Sequence, residues 1–457
     1  MEKRAFLRTS AAALTGCILS RMLPAQNPPA TADRTNWSGN LTYSAPTLLE
    51  PRTVDEVQAA VRSHRHLRAL GSRHSFNAIA DSPQNQISLH ALNSVALDSA
   101  ARTVTVGAGV RYGDLAPVID ARGFALHNLA SLPHISVAGA IATATHGSGL
   151  HNGNLATAAS AIEFIDARGD LVRLSRSADP ELFSGAAVHL GALGILTRVT
   201  LDVQPTYQVA QTVYLDLPFA VLEHHLEDVF ASGYSVSLFT DWQNARATQV
   251  WIKRRAGQAS APDPLGPEFF GARRATENMH PILGHSAAAC TEQMGIPGPW
   301  YERLPHFKMN FTPSSGQELQ TEYFVPFDQA CAAIRAVETL RDRITPLLFV
   351  TELRTIAADD LWMSMAHHRR SLAIHFTWKP EWPQVRAILP QIEARLAPFA
   401  ARPHWGKLFT VPPAQLDALY PRLGDFQSLA ARYDPHAKFR NAFLAANLYS
   451  AQAHDNR

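Results

Sequence analysis

From Ser131 to Gly149 the chain reads SLPHISVAGAIATATHGSG, a stretch of small residues without a single Asp, Glu, Lys or Arg. Main chain this bare has to be packed closely, because its side chains offer little volume with which to fill a core. Its glycines and alanines let another group come right up to the backbone, and Ser136, Thr143, Thr145 and Ser148 add donors beside many free amides. Two structures meet these terms: a tight turn inside a core, and a bed for an extended anionic ligand. Composition alone leaves both open.

A second glycine group, Gly107, Gly109 and Gly113, follows a strand-like run and precedes a helical one. The dinucleotide fingerprint needs G-x-G-x-x-G so that the third glycine lets helix pack on strand, and here one residue too many intervenes. A strand-to-helix turn capped by Asp114 is expected, and a nicotinamide cofactor is rejected.

Elsewhere the pattern is mixed. Thr53 stands three residues before Glu56, with Val54, Val57 and Val61 at helical spacing, which predicts a capped amphipathic helix. LRAL at 67–70 reads as a short buried strand feeding the small-residue turn Gly71, Ser72, Arg73, His74, Ser75. Character changes after Pro205: the strand-like VYLDL and a helix from Phe219 to Phe230 are followed by a Pro- and Gly-rich stretch from Ala256 to Pro305. Helices are then expected at Asp328–Arg341 and Trp382–Leu396, with strands at Leu347–Leu353 and Leu372–Trp378. Strands and helices without strict alternation suggest α+β rather than a doubly wound sheet. The expected organisation is an export signal over 1–25, a linker over 26–36, a first domain over 37–205, a second over 206–414, and a C-terminal segment, 415–447, returning to the first.

The signal is read from Lys3 and Arg4, then Phe6, Leu7 and Arg8, then an apolar run from Ala11 to Leu19 that is too short to span a bilayer. KRAFLR approximates a twin-arginine signal, LTGC ending at Cys17 resembles a lipoprotein cleavage box, and Leu23, Pro24, Ala25 suit conventional cleavage. Export to the periplasm or cell envelope is expected; the alternative is a disordered tail on a cytoplasmic enzyme. A formal net charge of +2 with no basic stripe excludes nucleic acid as an obvious partner, and no other stretch approaches membrane-spanning length. Cys17, Cys290 and Cys331 show no paired spacing, and HHLED, AHHRR and SHRH lack a metal-ligand pattern, so neither a disulfide framework nor a metal is expected.

Glu352 and Arg354 alternate on one strand and His375 and Thr377 on another, so each pair shares a face, and Lys407 sits in a Trp-Gly-Lys turn. Such a set could grip a polyhydroxy ligand. On spacing alone, an ion pair on an exposed sheet, a solvated sheet face and an ordinary surface lysine are the simpler readings, as a core or turn histidine is for His74.

GSRHSFN at 71–77, SLPHISVAG at 131–139 and HWGK at 404–407 together resemble the vanillyl-alcohol-oxidase superfamily of FAD enzymes, and within it the bacterial alditol oxidases of xylitol and sorbitol. The likeness runs from about Trp37 to Leu444 and takes in SVSLFTDW at 235–242, PHFKMNFTPSSG at 305–316 and DPHAKFRNAFL at 434–444. The resemblance implies a two-domain fold, an FAD-binding domain of PCMH type with a substrate-binding cap, and FAD bonded covalently through its 8α-methyl group to His74. A neutral imidazole is a nucleophile able to make that bond. Family patterns often place Gly before this histidine; here it is Arg73.

Carried over by resemblance, flavin contacts fall on Gly71, Ser72, Arg73 and Ser75, on Ser131, Ser136, Gly139, Ala142 and Thr143, on His146 and Gly147, on Ile195 within GALGILT, and on His404. Alditol contacts fall on Ser131, Glu352, Arg354, Thr377 and Lys407, with His375 beside them; Arg354, Lys407 and Glu352 are the expected catalytic groups. The implied reaction is oxidation of a terminal carbinol to the aldose with oxygen reduced to hydrogen peroxide, by a monomer whose partners are the polyol and O2. Two alternatives are carried: an aldonolactone oxidase or dehydrogenase of the same superfamily, and a secreted carbohydrate-binding protein on a degenerate flavin fold.

Overall fold

The computed structural model describes residues 34–257, 266–311 and 317–449. The expected signal, most of the linker, Cys17 and residues 312–316 of the PHFKMNFTPSSG motif lie outside the described residues. From Thr35 the described residues form one compact unit.

The chain opens with β1 (Thr47–Leu49), α1 (Val54–Ser63), β2 (Arg68–Leu70) and β3 (Asn85–Ser88). Thr53 Oγ1 accepts from Glu56 N at 3.1 Å, and Glu56 Oε2 accepts from Arg52 N at 2.7 Å, so the helix start is capped from both sides. Val57 and Val61 are buried against the parallel sheet β1-β3-β2. The strand before the GSRHS turn is thereby fixed.

An antiparallel sheet follows, built from β4 (Val95–Asp98), β5 (Thr103–Gly107), β6 (Ala159–Ile165), β7 (Leu171–Ser175) and β8 (Ile195–Asp202), in the order β4-β5-β8-β6-β7. Between β5 and α2 (Tyr112–Asp120), the glycines answer a packing need. A Cβ at Gly107 or Gly109 would stand 2.2 Å from Leu92 O or 2.3 Å from Leu89 O, and one at Gly113 would stand 2.4 Å from Met309 Sδ. Asp114 corrects the sequence expectation: it lies inside the first turn of α2, ion-paired to Arg111 at 2.7 Å, and the cap position belongs to Arg111. A carboxylate in a first turn complements the helix dipole without capping it. The small-residue segment contributes a single short helix, α3 (Val137–Ala142).

The rest of the chain builds the largest sheet. Its strands are β9 (Gln208–Pro218), β10 (Ser235–Thr240), β11 (Arg246–Arg255), β12 (Leu319–Pro326), β13 (Leu348–Ile356) and β14 (Ser371–Trp378). They run antiparallel in the order β9-β11-β10-β13-β14-β12, extended by short pieces at both edges. The expected helix at Asp328–Arg341 is divided into a 3-10 turn at Phe327–Gln329, α5 (Ala330–Glu338) and a short helix at Arg341–Ile344, whereas the one at Trp382–Leu396, α6, is continuous. One face of the sheet is apolar: Val236, Leu238, Leu353, Ile374, Phe376, Tyr323 and Val325 bury against α4 (Phe219–Ala231), α5 and α6. Register puts the charged side chains on the other face.

After the large sheet the chain returns to its beginning. Asn441 Nδ2 donates to the carbonyls of Ala78, Ile79 and Asp81, and Leu67 N donates to Lys438 O.

Candidate active site

The GSRHS turn and the small-residue segment lie together. Ser72 Oγ accepts from Ser136 N at 2.9 Å and lies 3.1 Å from His74 Nδ1. Arg73 has φ of 65°, the left-handed region that favours glycine, which is a physical reason for the glycine that the family resemblance leads one to expect before His74. Its guanidinium donates to the Thr35 carbonyl. The His74 ring is half-buried, stacked on Trp37 at 5.6 Å, and its Nε2 is buried without a partner. Burial, reinforced by His134, pulls its pKa down to about 3, so the imidazole is neutral.

Ser136 Oγ is likewise buried and unpartnered. A side chain at Gly71 or Gly139 would meet it at 2.9 or 2.8 Å, so these glycines keep a cradle of bare main chain. Thr143 Oγ1 donates to Gly139 O, and Ala142 O accepts from Leu190 N at 3.0 Å, which seats the GALGILT stretch alongside. Ile195 heads β8 opposite Ile165. Gly147 has no room for a Cβ, which would lie 2.3 Å from Leu129 O. Two orphaned buried polar atoms beside a glycine-lined cradle fit a flat, phosphate-bearing cofactor such as FAD.

The cradle meets the charged face of the large sheet through the turn at 404–407. Phe76 N donates to Gly406 O, and Asn77 Nδ2 donates to Trp405 O and Lys407 O, so the His74 loop and this turn are one assembly. Ser75 Oγ lies 3.4 Å from where a Gly406 Cβ would stand. Lys407 Nζ donates to Gln320 Oε1 and lies 4.7 Å over the Phe76 ring.

On the sheet, Glu352 of β13 is directly opposite His375 of β14, which is directly opposite Glu322 of β12. Glu322 Oε1 accepts from Arg354 Nη2 at 2.7 Å and lies 3.1 Å from His146 Nε2. Arg354 Nη1 donates to Ser131 Oγ at 3.3 Å, and Arg354 Nε stands 3.5 Å from Glu352 Oε2. Thr377 Oγ1 is 3.3 Å from His375 Nε2. Glu352 and Arg354 are each only 6% exposed, which rules out an ion pair on an exposed sheet. His375 and Thr377 are buried as well, and no solvated face remains there.

Burial alone would push both carboxyls up. For Glu352 it is overridden by Arg354 and His306, and for Glu322 by His146, Arg354 and His375, so each is held well below the usual range. Burial lowers the Arg354 guanidinium, but the two carboxylates outweigh it and raise it overall. Burial keeps His375 and His404 neutral and brings Lys407 down to about 8.

Glu322, Gln320 and His306 were missed in the sequence reading. Gln320 and Glu322 alternate along β12, with Glu318 just before it, as Glu352 and Arg354 do along β13, and that period-two signal was there to be read. His146, Glu322 and His404 also bring one donor atom each within 4.8 Å of one another. This grouping joins three distant segments, so no ligand spacing announces it. Glu322 is already engaged by Arg354 and His146, and the trio reads as a hydrogen-bonded wall between cradle and sheet.

Comparison with known proteins agrees with this geometry. A family described as FAD binding domain matches residues 45–175, and one described as D-arabinono-1,4-lactone oxidase matches residues 310–447. Alditol oxidase of a Streptomyces species is 47% identical over 90% of this chain and 97% of its own. L-gulono-1,4-lactone dehydrogenase of Mycobacterium tuberculosis is 28% identical over 89% of this chain and 97% of its own. Cholesterol oxidase from B. sterolicum superposes with a TM-score of 0.74 at 16% identity, covering 93% of this chain and all of that one, a likeness of fold alone. Fold and site define a flavin-dependent oxidoreductase of the vanillyl-alcohol-oxidase type. Within that class, the chain belongs to the alditol oxidase family.

Proposed function

We propose that this protein oxidises the terminal carbinol of an alditol such as xylitol or sorbitol to the aldose, with FAD held covalently through His74 and oxygen reduced to hydrogen peroxide. The observation that carries it is the buried row Glu322, His375, Glu352 with Arg354 and Lys407, lying against a glycine-lined cradle. Ionised side chains survive such burial only when paired, and this set presents both donors and acceptors to a ligand made of hydroxyls.

Bound at the cradle, FAD supplies the acceptor for a hydride from the carbinol carbon and the route for the electrons to oxygen. Ser136 offers its unpartnered hydroxyl and Gly71 and Gly139 bare main chain to its phosphates, and the neutral His74 ring is available to bond its 8α-methyl group. Arg354 and Lys407 donate to the reacting hydroxyl and favour its alkoxide character. Ser131, Glu352 and Thr377 hold neighbouring hydroxyls. His375, kept neutral by burial, takes the hydroxyl proton at Nε2, and Glu322 Oε2, 3.5 Å from Nδ1, stabilises the cation formed.

The test is a visible spectrum of acid-precipitated protein followed by a peroxide assay against xylitol, sorbitol and gulonolactone. Colour retained in the pellet and peroxide from the alditols are expected. Turnover of gulonolactone alone would install the second reading, an aldonolactone oxidase or dehydrogenase, which the match at residues 310–447 favours. The KRAFLR stretch and the apolar run after it support export to the periplasm or cell envelope, which cell fractionation tests.

A further inference from the structure

Behind the substrate row lies a layer of charge that the proposed chemistry does not use. Lys253 of β11 is 1% exposed, and its ammonium group donates to Leu304 O and, at 3.4 Å, to Pro305 O. It lies 3.0 Å from His306 Nδ1. An ammonium has protons to give and no lone pair, so Nδ1 accepts and the ring proton sits on Nε2. That nitrogen stands 2.7 Å from Glu352 Oε1.

The His306 ring has little freedom to turn away. Phe239 and Trp251 meet it edge-on, with centroids at 5.6 and 5.1 Å and interplanar angles of 66° and 72°. The backbone is fixed too, because His306 N and Phe307 N both donate to Ser131 O, at 3.1 and 3.3 Å. One short segment thus braces two groups of the row, Glu352 through a side chain and Ser131 through the main chain.

We propose that Lys253 and His306 are a positioning pair that locks Glu352 in one orientation, ionised, and so sets the affinity for hydroxyls beyond the reacting carbon more than the rate at that carbon. This rests on the polyol reading above. Glu352 otherwise faces Arg354 on its own strand, His375 on β14 and, farther off, Lys407, all of which belong to the reacting centre. Without His306 the carboxylate is free to swing toward Arg354, and the acceptor that a distal hydroxyl needs is no longer aimed. Burial pulls Lys253 down to about 7, so the brace is complete below that pH and weakens above it.

The experiment is anaerobic rapid mixing of the holoenzyme with xylitol, which separates Kd from the limiting rate of flavin reduction. His306→Phe keeps the ring packing and removes the donor. Its xylitol Kd is expected to rise about tenfold, the scale of one hydrogen bond to a charged group, with the limiting rate within about threefold of wild type. Lys253→Met should raise Kd as well and add nothing in the His306→Phe background, the coupling expected of partners in one chain. An infrared titration of the carboxyl band should show Glu352 protonating at higher pH in His306→Phe. Should that variant fail to fold, His306→Gln, which retains a donor, is compared with His306→Leu. A Kd within twofold of wild type, or a slower limiting rate at unchanged Kd, overturns the proposal. If wild type ignores alditols and takes a lactone, the polyol reading fails by itself, and the same variants are measured with that lactone.

Discussion

Arg354 Nη2 donates to Glu322 Oε1 at 2.7 Å, and that same oxygen faces His146 Nε2 at 3.1 Å. One carboxylate oxygen therefore joins a histidine of the small-residue segment to a guanidinium of β13, and it does so buried, with a side chain 1% exposed. Glu322→Leu leaves the buried Arg354 with Glu352 alone, 3.5 Å from its Nε, and leaves His146 Nε2 without its carboxylate. The expected loss is about 3–5 kcal/mol of stability, the usual scale for removing one partner of a buried pair. Thermal melting of the holoprotein measures it, and an unchanged melting temperature would show that Arg354 finds its compensation elsewhere.

Lys407 is the second test of the charged face. In the proposed mechanism, replacing it by Met removes a donor to the reacting hydroxyl, and flavin reduction by xylitol should slow by about 10²–10³-fold while the protein stays yellow. Burial brings Lys407 to about 8, so its proton is present below that pH and lost as pH rises through it. In the proposed mechanism the working form is the protonated one, so the limiting rate of reduction should fall as pH rises past about 8. A rate that climbs through the same range would recast Lys407 as a base.

How much of this was legible beforehand depended on whether the signal was local. The Thr53 and Glu56 cap, the period-two pairs Glu352 with Arg354 and His375 with Thr377, and the continuous helix Trp382–Leu396 each lie within one element, and local pattern is enough to place them. That Glu352, His375 and Glu322 form one row was not legible, because register between strands far apart in sequence is set by the folded sheet. His306 escaped for the same reason: it sits on an irregular segment with no period, and only its arrival against Glu352 and Lys253 gives it a role. The misplaced cap at Asp114 is a smaller case, where an acidic residue suited both the cap and the first turn and the ion pair to Arg111 favoured the turn.

At His74 the burial that holds the pKa near 3 keeps the ring neutral throughout the physiological range, the state in which it can act as a nucleophile. On the proposed linkage, His74→Ala abolishes covalent attachment. Acid precipitation of that variant should send any yellow colour into the supernatant, while the wild-type pellet keeps its colour. A coloured variant pellet would mean that the tether is another residue.

Arg73 sets the geometry of the same turn. With φ of 65°, an L side chain here carries roughly 1–2 kcal/mol of steric cost that glycine avoids, partly offset by glycine's greater freedom in the unfolded chain. Arg73→Gly should therefore leave stability within about 1 kcal/mol of wild type and, on the proposed linkage, keep the flavin attached, since glycine adopts this φ and keeps the carbonyl that accepts from Trp37 N. Arg73→Val puts a β-branched residue where it fits worst and should lower the melting temperature and the flavin content together, because Trp37 N donates to the Arg73 carbonyl at 2.8 Å and the Trp37 ring is what stacks on His74. Melting curves and absorbance ratios of the two variants decide it. A valine tolerated as well as glycine would mean that the turn relaxes to another conformation and that His74 does not depend on its present one.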